Sequence, residues 1–279
     1  MKEIRKIKPG AVEIVDIDDV CEAGIIYEMD KVQAVTDKMK HNKIDALFLP
    51  FCDFGEEQVA AAVAAALEVP VLVWGPRDER PNTDESRGRD TQCGMFAATK
   101  VLQRYGVKFS YIYNCPPKSK EFHNGYENFI RTAAVLKSLR TLRIAKIGER
   151  PVPFMSVMTN EAELIKKLGV ITVPISPVEI CRRAEKIRKE NAGEYTDYLE
   201  DLKLRFKNSE NLETVASVKI AVQQLMEENG CSAAAFECWS AFPELVGICP
   251  CAVLGEMADE GMPLSCETDI NGAITLAIL

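Results

Sequence analysis

The 279 residues are too many for one ordinary core and suit two domains. Apolar residues make up 47% and charged residues 27%, the balance of a soluble globular protein. With 34 basic against 42 acidic residues the formal net charge is −8, which excludes the broad basic face that nucleic acid or an acidic membrane surface would require.

The charged stretch Met1–Gly10 has no apolar core of a signal peptide. The longest apolar run, Val59–Leu67, is alanine-rich and too short to span a bilayer. A cytoplasmic location is therefore expected, with the ten cysteines as free thiols. Five of them, Cys231, Cys238, Cys249, Cys251 and Cys266, fall in the last fifty residues. No paired C-x-x-C knuckles occur, and Cys249-Pro250-Cys251 is the nearest approach, so buried thiols are favoured over a structural zinc.

In chain order, Ala11–Ile17 alternates weakly and reads as a strand, and Asp30–Lys40 as a helix. The apolar run 46–49 stops at Pro50 and suits a buried parallel strand. Phe54-Gly55-Glu56-Glu57 opens a helix to Leu67, its acids placed for the N-terminal dipole. Strand Val71–Trp74 ends at Gly75-Pro76, and a polar loop leads to a helix from Thr91 to Tyr105. Strand Phe109–Tyr113, helix Phe122–Leu139 and strand Arg143–Ile147 follow. The proline-rich 148–154 stretch breaks this rhythm and is expected to divide the chain into domains 1–150 and 151–279.

The second half restarts with helix Glu161–Leu168, strand Val170–Pro174 and a helix over Val178–Lys189, whose basic run reads as a wet face. Helices Glu194–Phe206 and Leu212–Asn229, strand Ala233–Phe236, helix Pro250–Asp259, strand Leu264–Cys266 and helix Ala273–Leu279 complete it. Strands separated by helices of this length mean βαβ units and an α/β fold with parallel sheets flanked by helices.

Chemistry gathers at two strand ends, Phe236-Glu237-Cys238-Trp239 and Cys266-Glu267-Thr268-Asp269. On neighbouring parallel strands, Glu237, Glu267 and Asp269 would crowd one sheet edge, where open α/β sheets place their ligands. Carboxylates there suit a hard divalent cation or proton transfer. Equally, Glu237 could pair with an arginine, and Asp269 or Asn271 could cap the last helix. Phe51–Gly55 offers a weaker anion or sugar site. Neither G-x-G-x-x-G nor a P-loop occurs, and His41 and His123 form no recognisable triad.

Taken together, Cys238-Trp239, Pro243-Glu244-Leu245, 247–251, 259–263 and Cys266-Glu267-Thr268-Asp269-Ile270-Asn271-Gly272-Ala273 resemble the L-fucose isomerase-like family, grouped with the L-fucose and L-arabinose isomerases. Earlier pieces agree in order: Phe54-Gly55-Glu56-Glu57, 70–78, Arg89-Asp90-Thr91-Gln92-Cys93-Gly94 and 147–151. The resemblance implies two Rossmann-like domains followed by a third, mostly β domain. It implies a metal-dependent aldose–ketose isomerase acting through an enediol, on a monosaccharide, in a homo-oligomer that is commonly a hexamer. The implied cofactor is Mn²⁺, held by a glutamate, an aspartate and a histidine. Glu267 takes the glutamate's place in the family's C-E-x-D-x-x-G motif, as metal ligand and proton-transfer base. The aspartate and histidine are expected beyond Leu279. Glu237 matches a sugar contact where glutamine is common, and Trp239 and Asp269 join it as substrate-binding candidates. The 51–54 loop matches one that can reach a neighbouring subunit's site. The apolar ending Ala273–Leu279 has no C-cap and reads as a truncation. On this reading residues 1–279 alone lack isomerase activity and bind Mn²⁺ weakly. The rival reading is a non-catalytic, two-lobed sugar-binding α/β module.

Overall fold

A computed structural model describes residues 4–7, 11–191, 193–207 and 209–279. It separates into two compact units, Met1–Lys137 and Ser138–Leu279. The first holds helices α1 (Val32–His41), α2 (Glu57–Leu67), α3 (Thr91–Arg104) and most of α4 (Lys120–Leu139), with strands β1 (Leu47–Pro50), β2 (Val71–Trp74) and β3 (Phe109–Ile112). All three strands are parallel, in the order β1-β2-β3, with Leu47 opposite Val71 and Val71 opposite Phe109.

Both faces of this sheet are covered, which is why its central strand is apolar throughout. Successive side chains of β2 alternate between faces. Val71 and Val73 enter a core with Val35, Met39, Ala61, Ala64, Met95 and Leu102 from α1, α2 and α3. Leu72 and Trp74 join Phe122, Tyr126 and Phe129 of α4 on the other face. The alanines of α2 let α3 approach closely, and Gly94 lets α3 approach the loop before α2: a Cβ there would lie 2.1 Å from the carbonyl oxygen of Phe54.

The second unit contains β4 (Arg143–Ile147), α5 (Glu161–Leu168), β5 (Ile171–Ile175), α6 (Pro177–Glu190), α7 (Gly193–Arg205), α8 (Leu212–Glu228), β6 (Ala233–Phe236), α9 (Ala241–Val246), α10 (Cys251–Asp259), β7 (Leu264–Cys266) and α11 (Ile270–Ile278). Its four strands are again parallel, in the order β5-β4-β6-β7. Ala145, Ile147, Ala234 and Phe236 face a large core built with α6, α8 and α10. Ile144, Ala233 and Ala235 alternate to the other face, and α11 packs against β6 and β7. Three consecutive alanines in β6, all fully buried, keep the sheet thin enough for helices on both sides.

Topology places the site. Order β1-β2-β3 never reverses, whereas β5-β4-β6-β7 reverses between β4 and β6. Open α/β sheets bind ligands outside the carboxyl ends of their strands at such a switch point. In the second unit that position is taken by Ile147-Gly148-Glu149 and Phe236-Glu237-Cys238.

The structure differs from the sequence expectations in four places. Residues 11–17 form no strand. Val15 and Ile17 dock against one core and Ile14 against another, so the segment is anchored by side chains and not by a ladder. The division between units falls N-terminal to β4, earlier than the 148–154 crossover, because β4 is a central strand of the second sheet. Helix α9 was not among the expected elements; its Pro243 lies in the first turn, where proline is tolerated. Finally, α11 begins at Ile270, three residues before the expected start. Among the described residues no helix is long and apolar enough to cross a membrane.

Candidate functional site

Strands β6 and β7 are parallel neighbours, with Phe236 opposite Cys266, so the two strand ends singled out by sequence do lie side by side. Directly after β7 the chain turns sharply. Thr268 adopts a left-handed conformation, φ 57°, and its N–H donates to the carbonyl of Phe236 at 3.1 Å. A β-branched residue in that region is strained, and such residues concentrate at functional sites. Its hydroxyl is buried without a hydrogen-bond partner.

The turn aims Glu267 back across the end of β6. Only 9% of the residue is exposed. The N–H groups of Cys238 and Trp239 each donate to its Oε2 at 3.1 Å, and the Cys238 thiol donates to Oε1 at 2.6 Å. A carboxylate has about four lone-pair sites. Three donors hold this one in a single orientation. Burial, and then the hydrogen bond to Glu267, push the Cys238 thiol well above the ordinary thiol range, so it stays protonated as a donor.

Glu237 follows a different path. Its Oε2 accepts from the N–H of Glu149 at 3.0 Å, and the Ser240 hydroxyl donates to its Oε1. Gly148 makes this possible: it sits at φ 77°, and a Cβ there would lie 2.1 Å from Glu237 Oε2. Glu237 thus ties the end of β6 to the end of β4 through backbone and hydroxyl donors, where an arginine partner was the alternative. Trp239 is 60% exposed and stacks on Phe154 with ring centroids 5.2 Å apart, forming an apolar platform beside the carboxylate.

Asp269 performs the bland role weighed for it. Its side chain accepts from the Gly272 N–H at 2.9 Å and caps α11, while the Ser265 hydroxyl donates to its carbonyl at 2.5 Å. Substituting Asp269→Ala is expected to cost about 0.5–2 kcal/mol, as for other N-caps, seen as a lower chemical-denaturation midpoint. The expected crowding of three carboxylates therefore resolves into three separate duties.

Among the described residues, the side chains placed to share one ion are Cys238, Cys266 and Glu267, whose ligand atoms all lie within 4.8 Å of one another. Glu267 fits as one oxygen ligand of a hard cation such as Mn²⁺. The two thiols do not suit that ion, so this trio alone makes a poor Mn²⁺ site. Cys238 was missed as a partner of Glu267 because their contact is made across strands, 29 positions apart. All ten cysteines are free, as expected.

The sequence model described as fucose/sulfoquinovose isomerase, N-terminal domain, matches residues 1–140, half of the chain. Sulfoquinovose isomerase of Priestia aryabhattai is 26% identical over 256 residues, covering 91% of this chain and 57% of the relative. Proteins of the same name from Alkalicoccus urumqiensis and Clostridium sp. (strain MSTE9) are 23% and 24% identical, covering 84% and 81% of this chain and 53% and 51% of the relatives. The chain thus spans about half the length of the curated relatives it matches. It belongs to the fucose/sulfoquinovose isomerase family.

Proposed function

We propose that this chain supplies part of an aldose–ketose isomerase acting on a monosaccharide, with Glu267 as its chemical centre. The observation that carries the reading is the buried Glu267 carboxylate, held by two backbone N–H groups and a thiol beside the switch point of the second sheet. Glu267 takes a proton from the carbon next to the sugar's carbonyl and returns it to the neighbouring carbon, by way of an enediol. Its orientation is fixed in advance by the ends of β6, so little reorganisation accompanies the transfer. A divalent cation such as Mn²⁺, with Glu267 as one ligand, would supply Lewis-acid polarisation of the carbonyl oxygen. The exposed Trp239 ring offers an apolar face to the sugar, and Glu237 offers hydrogen-bond acceptors beside it. Asp269 serves mainly to hold the turn that aims Glu267.

Sulfoquinovose, named by the relatives, and fucose, named in the family description, are the aldoses to try first. The test is the full-length protein with each sugar, with Mn²⁺ and after chelation, read by NMR for ketose formation. The reading expects metal-dependent ketose from at least one sugar. Sugar binding without turnover or metal dependence would instead favour a binding module. For residues 1–279 alone, the donor set predicts weak Mn²⁺ binding and no measurable turnover. Robust ketose formation by that piece would show that Glu267 needs no further ligands.

A further inference from the structure

The mismatch between the donor set and a hard cation points to a different ion. We propose that Cys238, Cys266 and Glu267 form a binding site for a thiophilic divalent cation of the zinc class, distinct in preference from Mn²⁺. Two thiolates and a carboxylate are a natural three-ligand set for Zn²⁺, with a fourth position left open. The three ligand atoms already lie within 4.8 Å of one another. A tetrahedral ion with metal–sulfur and metal–oxygen bonds of the usual lengths needs separations of roughly 3.5–3.8 Å. Reaching that geometry requires the exposed Cys266 to approach and the 2.6 Å contact of Cys238 Sγ with Glu267 Oε1 to open by about 1 Å. Cys238 and Glu267 are fixed by the β6 and β7 ends, so two of the three ligands are ordered beforehand.

Binding replaces two S–H bonds with two S–metal bonds and releases two protons to solvent, with no change in oxidation state. It breaks the Cys238 thiol's hydrogen bond to Glu267 and occupies the carboxylate position that the isomerase reading reserves for Mn²⁺. The ion is then an inhibitor of turnover. That consequence rests on the proposed isomerase reading, whereas the binding itself does not.

The site needs no sequence motif of paired cysteines. Cys238 and Cys266 are brought together because β6 and β7 are adjacent and parallel. The exposed Cys249 provides an internal comparison, since it does not belong to the cluster.

The experiment is site-resolved thiol alkylation of reduced residues 1–279, read by mass spectrometry with and without Zn²⁺. Zn²⁺ is expected to slow labelling of Cys266 while Cys249 keeps its rate. In Glu267→Gln the Zn²⁺ concentration needed for half-protection rises by at least roughly 10–100-fold, the cost of losing even an outer-shell partner of a metal. In Cys238→Ser protection of Cys266 is lost, and Cd²⁺ titration followed by thiolate charge-transfer absorption loses its tightest equivalent. Equal labelling of Cys266 with and without Zn²⁺, or protection that survives both substitutions, overturns the site. Because no sugar or turnover enters this measurement, its failure is distinguishable from failure of the isomerase reading. Conversely, Zn²⁺ protection with no isomerase activity in the full-length protein would leave the site standing and remove only its inhibitory consequence.

Discussion

Full-length protein carrying Glu267→Gln is expected to lose about 10²–10⁴-fold in kcat for ketose formation, the range removed with a general base. That corresponds to about 3–5 kcal/mol of transition-state stabilisation. Glutamine is nearly isosteric. Its amide oxygen can still accept from the Cys238 and Trp239 N–H groups, and its amino group can turn toward the Cys238 sulfur. The fold is therefore expected to survive while the charge and the base are lost. Chemical denaturation should show little change in stability, and Mn²⁺ should bind more weakly. A variant with near wild-type kcat would remove Glu267 from the chemistry. A variant that unfolds would instead assign the carboxylate a structural duty.

The second large effect is on folding. Phe236→Ala is expected to destabilise the second unit by about 3–5 kcal/mol, as for buried phenylalanines generally. Phe236 is fully buried and packs against Phe242, with ring centroids 4.7 Å apart, in the core shared by α6, α8 and α10. A domain is typically stable by only about 5–15 kcal/mol, so the loss is a large fraction of the whole. Its backbone carbonyl also accepts from Thr268, so the same residue couples the core to the turn that carries Glu267. Leu204→Ala, at a residue 73% exposed, serves as the comparison and should stay within about 0.5 kcal/mol of wild type. Denaturant unfolding of both variants reads the difference directly. Equal midpoints would mean that this core does not hold the unit together.

How much of this was legible in the sequence follows from what kind of interaction decides each feature. Strand β2 was readable to the residue because Val71–Trp74 is uniformly apolar and is followed at once by Gly75-Pro76. Helix α5 was equally plain, since Asn160 caps it and Gly169 ends it in a left-handed conformation. Residues 11–17 carry strand-like alternation, yet tertiary packing used their side chains and left the segment outside any sheet. The unit boundary was obscured because Pro151 and Pro153 are strong local signals, while the pairing of β4 with β5 and β6 is a long-range one.

The site divides in the same way. That Glu267 follows a strand and precedes a helix is a local pattern, visible without coordinates. That Asp269 caps α11 was one of two readings its position allowed, and geometry decided between them. What no spacing could reveal is the contact of Cys238 with Glu267, or the support of Glu237 by Glu149 across the switch point. These depend on the order of strands in the sheet. The stacking of Phe154 on Trp239 likewise joins a loop after β4 to the end of β6, and only the fold puts them together.

The central claim is that Glu267 moves a proton between neighbouring carbons of an aldose. Its most direct measurement is isomerisation by the full-length protein in D₂O, with the ketose and the recovered aldose examined by NMR. The account predicts deuterium on the carbon that receives the proton, in the wild-type protein, and neither exchange nor ketose with Glu267→Gln. Ketose formation, or exchange at either carbon, that persists undiminished in Glu267→Gln would contradict it.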